Sequence, residues 1–437
     1  MNKFTQTLMW STAFLLAASV TGCNVGERDS ILGAGGASSG PAPGAVVPGA
    51  TPGTIIPGAV CSVTTGPTVV SSDPISGNQV VTTSTSGVTG NGKLITATFS
   101  LAMDPSTINA TTFTLKPMGD VILTPASVTY DDPTKVATLT TSSALLPNTS
   151  YTATITQAVT SAASVPLACI YEWSFKTAAP PSVNLGLAAP FAIASSAGVI
   201  NTGATTINGD TVLDPTATCN AVTVNAVGGF GLCAGSPPTI NGSVISPLYP
   251  DAGATSGAIK ADLLAAYKSI LPANLPGATV LGCGTIGSSG DAGAGIGCAG
   301  NSTLPPGVYI SATDSTIGVT GALTLDGKGD ANARFVFQAS SALTTAAGAP
   351  GAPGSEIILI NGAKASNVWW QVGSSATIGT YALFQGNVLA DTSITMGTSS
   401  TSCGRLLAGA VTASGAFKFD ANVISMPGHV SAPSTCQ

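Results

Sequence analysis

Apolar and polar positions alternate most legibly near the C-terminus. Three stretches, 367–379, 387–397 and 405–415, can be laid under one another. Each begins apolar, passes through small residues, alternates an apolar side chain with Thr or Ser, and closes on Gly. The step between them is roughly eighteen to twenty residues, the self-similarity of a solenoid coil. Period-two alternation predicts Ile378, Ile394 and Val411 pointing inward, with Thr377, Thr395 and Thr412 outward. Stacked coils would then set those hydroxyls in a ladder, to which Thr324 and Thr344 are weaker additions. Outward Thr also arises from β propensity alone, so the ladder by itself does not define a ligand.

Upstream, the pattern changes twice. Across 256–271, Ile259, Leu263, Leu264, Tyr267, Ile270 and Leu271 recur at helical spacing, with Thr255 or Ser256 as the cap and Pro272 as the stop. A single apolar face implies that this helix lies against a flat surface such as a side of the solenoid. Across 67–178, short β-rich runs (94–100, 112–115, 127–130, 136–140, 151–156 and 171–176) alternate with Asp-Pro and Pro-Asn turns, the rhythm of a β-sandwich. Asp104, Asp131 and Asp132 lack a metal-ligand spacing and read as turn residues. Between 24 and 66, Pro41, Pro43, Pro48, Pro52 and Pro57 exclude a helix or central strand. Such a segment is a tether, about 100 Å long if extended in polyproline form.

Composition narrows the chemistry. Only 7 % of the 437 residues are charged, and the net charge of −6 comes without a basic patch, which argues against nucleic acid. A single histidine, His429, leaves little scope for imidazole acid–base or metal chemistry. Asp326, Asp330, Asp391 and Asp420 are isolated in sequence, and the Gly-Ser-Ser-Gly run at 287–290 is no nucleophile elbow. Neither a cofactor, a metal nor an enzymatic activity is expected.

The N-terminus carries an export pattern. Lys3 precedes an apolar run, 8–20, that is too short to span a membrane. The run ends Val20-Thr21-Gly22-Cys23, which resembles the lipobox of bacterial lipoproteins. That resemblance implies a signal peptide over 1–22, a diacylglyceryl group on Cys23, and a place in the outer membrane facing outward. Lipidating Cys23 leaves eight of the nine cysteines, an even number. Their spacing suggests the pairs Cys61–Cys169, Cys219–Cys233, Cys283–Cys298 and Cys403–Cys436.

Two stretches resemble known families. Residues 95–107, 146–153 and 173–177 look like the bacterial Ig-like domains of surface-layer proteins and adhesins. Residues 187–194 and 201–210, followed by 304–309, 323–327, 333–338, 361–363, 367–379 and 404–408, resemble the bacterial and fungal ice-binding proteins. The second resemblance covers 182–437 and implies a right-handed β-solenoid of triangular section with one helix alongside. The expected fold is thus mainly β, an Ig-like β-sandwich followed by that solenoid. The Cys-bearing segments 214–236 and 282–303 fall outside the family pattern.

The resemblance also implies a ligand, the surface of an ice crystal. Ice is a periodic array, so its receptor must be flat, rigid and periodic. β-Coils repeat at about 4.7–4.9 Å, near the spacing of oxygens in ice. Thr holds methyl and hydroxyl on a stiff χ1, whereas charged groups keep their own hydration. Family members often carry Thr-small-x-Thr, matched here by Thr202-Gly203-Ala204-Thr205. The candidate ice-binding residues are therefore Thr202, Thr205, Thr377, Ser393, Thr395, Thr412 and Ser414, in a monomer. The same architecture would also suit an envelope adhesin that binds a glycan or a neighbouring cell.

Overall fold

The computed structural model describes residues 65–437 apart from 90–91, 119–120, 181, 196, 214–231, 246–250, 252, 312–315, 413–414, 435 and 437. Cys23, the 8–20 run and most of the tether lie outside the described residues.

Between Val69 and Lys176 two antiparallel sheets face each other. Strands Val69–Asp73, Leu94–Phe99, Val136–Thr141 and Pro125–Asp131 form one, and Phe113–Pro117, Ser150–Ile155 and Tyr171–Lys176 the other. Strict alternation buries Ile95, Ala97 and Phe99 against Phe113, Leu115, Tyr151 and Trp173, the core of a sandwich. Asp104 accepts from the Ser106 N–H at 2.9 Å, and the Asp131 carboxylate accepts from the Thr134 N–H at 3.2 Å. Both acids close turns.

From Phe191 onward three parallel sheets make the three sides of a solenoid. On the first side lie, in spatial order, Val244–Ile245, Asp210–Leu213, Phe191–Ser195, Leu406–Leu407, Asn387–Ala390, Val368–Val372, Phe335–Ala339, Gly307–Ile310 and Thr279–Val280. The order is not the chain order. The first coil sits between the second and the last, so the C-terminal coil closes on the beginning of the domain. Leu406 pairs with Ile193, Phe417 with Val199 and Ile424 with Ile207. Arg405, largely buried, clamps this closure by donating from Nε and Nη2 to the Ala189 carbonyl at 3.0 and 2.7 Å and from Nη1 to Asn387 Oδ1 at 3.1 Å.

Such an order requires the chain to return from one end of the stack to the other. The helix Ala254–Ser269 makes much of that return, covering about 24 Å at 1.5 Å per residue. It begins two residues earlier than the sequence pattern predicts. Gly253 is its N-cap with φ 94°, and Asp251, rather than Thr255 or Ser256, supplies the capping acceptor, taking the Thr255 N–H at 3.0 Å. Ile259, Leu263, Ala266 and Tyr267 pack on Val336, Trp369, Leu389 and Leu407 of the first side. Gln338 Nε2 donates to the Ile270 and Leu275 carbonyls just beyond the helix, at 3.0 and 3.1 Å. One rung along, Gln371 Nε2 donates to the Tyr267 hydroxyl at 3.0 Å.

The helix explains why first-side strands such as Val-Trp-Trp-Gln-Val, 368–372, are buried at every position. They are covered on both faces, so both parities are buried. On the second side Ala-Thr-Ile and Ile-Thr-Met alternate, with the apolar residues buried and the Thr turned out. Glycine is required where the third side turns into the first. Gly209, Gly386 and Gly404 have φ of 142°, 111° and 142°, and a Cβ on Gly404 would lie 2.0 Å from the Gly386 carbonyl.

Two disulfides join described cysteines, Cys283–Cys298 and Cys403–Cys436. Cys169 and Cys233 are also disulfide-bonded. Cys61 and Cys219, their expected partners, lie outside the described residues.

Candidate functional site

The second side is built from Leu232–Gly235, Gly198–Asn201, Ala416–Phe419, Ile394–Met396, Ala376–Ile378, Leu343–Thr345, Ile317–Val319 and Thr285–Ile286. Its strands are only two to four residues long, and most turn one side chain outward. Register places Thr285, Gly318, Thr344, Thr377, Thr395, Lys418 and Ile200 in that outward column. Thr344 and Thr377 are exposed and Thr395 is half-buried, while Ile378, Ile394 and Leu343 beneath them are wholly buried. The column holds its spacing because the inward side chains are packed rigidly from both adjoining sides.

Thr377 and Thr395 are direct register partners. The third expected rung is displaced. Leu406 follows its partner Val388 by 18 residues, but Phe417 follows Ile394 by 23, so five extra residues (23 − 18) are accommodated at the intervening corner. Thr412 lies in that bend, where its hydroxyl donates to the Asp391 carbonyl at 3.0 Å. Val411, expected inside, is 49 % exposed. Lys418 occupies the rung instead. Ser414 lies outside the described residues.

The remaining candidates divide. Thr202 is exposed at the edge of this side, two residues beyond Ile200, and its hydroxyl donates to the Phe419 carbonyl at 3.3 Å. Thr205 is buried, and its hydroxyl accepts from the Asn422 N–H at 3.1 Å, so it locks a corner rather than facing solvent. Ser393 stands beside the column, its hydroxyl accepting from the Ala416 N–H at 3.1 Å. Thr324 belongs to the third side, opposite Thr303 and Ile358.

Residues outside the predicted set adjoin the Thr column. Ser375 and Thr392 share a hydrogen bond at 2.7 Å on its near edge. Past the column, Thr377 and Thr395 are each followed after two residues by Gly379 or Gly397 and then by Thr380 or Thr398. A Cβ on Gly397 would lie 2.6 Å from the Thr380 nitrogen, so the turn between Thr395 and Thr398 needs glycine. The repeated Thr-x-Gly-Thr was the sequence signal for this second row.

Among the described residues neither other side carries three Thr in consecutive register. The first is covered by the helix. The third carries Glu356, Leu383, Thr401, Val423, Thr206 and Thr239 in one outward column. Its other column includes Cys403, where the disulfide to Cys436 lays the C-terminal tail. Among the described residues no cluster of three or more potential metal ligands occurs.

The family model for ice-binding-like domains matches residues 193–417, about half of the chain. The chain belongs to the ice-binding-like family. A second model, the bacterial Ig-like domain, matches 63–177. An ice-binding protein of a Nostoc species is 48 % identical over 127 residues, 29 % of this chain and 42 % of that protein. Ice-binding protein 1 of Shewanella frigidimarina is 45 % identical over 109 residues, 25 % of this chain and 12 % of that protein. The chain thus spans less than half the length of either relative. An ice-binding protein of a Leucosporidium species is 32 % identical over 234 residues, 52 % of this chain and 78 % of that one. Among solved structures, that of an ice-binding protein from the Antarctic ascomycete Antarctomyces psychrotrophicus is 35 % identical with a TM-score of 0.42, covering 56 % of this chain and 98 % of that one.

Proposed function

We propose that this protein binds ice through the second side of its solenoid, and that it works by adsorption rather than catalysis. The observation that carries this reading is the register of Thr344, Thr377 and Thr395, three stiff hydroxyl-and-methyl rungs on consecutive coils. Ser375, Thr392 and Thr380 extend the hydroxyl array to either side. The inward residues between these hydroxyls, such as Ala376 and Ile394, are buried, so a first water layer can order over the outward groups before it joins the crystal lattice. Little side-chain entropy is lost on binding because the rungs are already fixed. The ice-binding relatives support the same ligand.

The rest of the chain supports display at the cell envelope. The Val-Thr-Gly-Cys sequence at 20–23 fits lipidation of Cys23, the Pro-rich segment fits a tether, and the Ig-like sandwich fits a spacer. Together they would hold a monomeric ice-binding domain outward from a membrane, the outer membrane in this reading. Ice-affinity uptake of the exported protein tests the central claim. A frozen fraction enriched in the folded, disulfide-intact protein is expected, with inhibited recrystallisation. Exclusion from ice together with normal recrystallisation would overturn it. Incorporation of labelled fatty acid, abolished by Cys23→Ser, tests the anchor.

A further inference from the structure

The Thr column does not run the length of the solenoid, and its end is abrupt. From Thr395 the next rung is Lys418, exposed and in register, and the rung after that is Ile200. On the same strand Phe419 points inward and is wholly buried, and Asp420, half-buried, follows it just past the strand end. Asp420 accepts from the Thr398 hydroxyl at 2.7 Å through Oδ2. A cation and an anion thus share one coil, immediately beyond the last Thr rung. That coil is also the one that closes the C-terminal half of the stack onto the first coil.

Charge of this kind is incompatible with an ordered water layer. An ammonium holds its own hydration shell in a geometry the lattice does not share, and stripping that shell without a matching partner is costly. A lysine stem is also long and mobile, so its head sweeps over neighbouring rungs and must be frozen out on binding. Neither objection applies to Thr344, Thr377 or Thr395.

We infer that Lys418 is a specificity-determining residue that sets the boundary of the ice-contacting area, confining it to the coils from Thr285 to Thr395. The inference rests on the ice-binding reading of this side and adds to it where the contact stops. The coils beyond Lys418, which carry Ile200 and Thr202, then serve to close the solenoid rather than to touch the crystal. Thr202, although exposed and part of a Thr-small-x-Thr sequence, lies on the wrong side of the boundary.

Two single variants of the exported protein, Lys418→Thr and Thr395→Lys, separate this inference from the reading beneath it. Both positions face outward, so both variants should unfold at the wild-type denaturant midpoint, and circular dichroism checks that they are folded. Thermal hysteresis at equal concentration should rise about two-fold in Lys418→Thr, because a hydrated rim charge is replaced by another rung. It should fall about ten-fold in Thr395→Lys, which moves the boundary into the array. A gain in the first with a loss in the second supports the boundary. Unchanged or reduced hysteresis in Lys418→Thr, with the loss in Thr395→Lys intact, overturns the boundary while leaving the ice-binding side in place. Unchanged hysteresis in Thr395→Lys overturns the choice of side, and the boundary with it.

Discussion

Phe337 and Trp370 stack inside the solenoid with ring centroids 4.0 Å apart and planes only 10° from parallel. They are register partners on consecutive coils, so the stack follows the strand spacing directly. Tyr309 continues it on one side at 5.3 Å, and Phe384 meets Trp370 from the third side at 5.5 Å. This aromatic spine fills the core between coils whose spacing the backbone ladders set. The Trp370 indole N–H also donates to the Gln385 carbonyl at 3.1 Å, tying the spine to a corner.

Removing the centre of that spine should be costly. Trp370→Ala leaves a large cavity beneath the helix-covered side and an unpaired carbonyl at Gln385. A loss of about 3–5 kcal/mol is expected, read as a lowered midpoint in urea unfolding. A change below about 1 kcal/mol would show that the coils are held by their backbone ladders alone.

The outward column is separable from this core. Thr377→Tyr should leave the unfolding midpoint within about 0.5 kcal/mol of wild type, because the position carries little buried area. Ice uptake should nevertheless drop about ten-fold, since a ring standing above the plane prevents the neighbouring rungs from reaching the lattice. Thr412→Tyr is the comparison. Thr412 sits in the corner bend, so the same substitution should leave ice uptake unaltered. The reverse result would restore Thr412 to the contact surface.

Asp326 should govern part of the acid limb of stability. Burial alone would raise its carboxyl, but the Lys328 N–H and the Asn361 amide, both at 2.9 Å, and the Lys328 ammonium at 3.3 Å together hold it below the ordinary value of 3.8. A depressed folded value means that the ionised form stabilises the fold. Its contribution is present above pH 3.8 and disappears as pH falls from there through the lowered value. Asp326→Asn should therefore flatten the decline in urea midpoint below about pH 4, with little change in ice uptake at neutral pH. An acid limb identical to wild type would remove Asp326 from that role.

Much of this molecule was legible in one dimension. Alternation fixed the parity of Thr377 and Thr395, and helical spacing found the helix to within two residues at either end. Each of those signals is local, because burial of one face imposes a period of 2 or 3.6 on the residues that make it. Register across an irregular corner is not local. Five additional residues before Phe417 carried Thr412 off the column and brought Lys418 onto it, and no pattern within the stretch 405–415 distinguishes the two outcomes. Thr205 was misplaced for a related reason: its hydroxyl is held by Asn422, 217 residues away in sequence. The sequence by itself thus determined the parity of the β-strands and the place of the helix. Tertiary structure decided which outward residues share a column and which are turned away from it, because the helix, the C-terminal tail and the closure of the last coil on the first are contacts between distant parts of the chain.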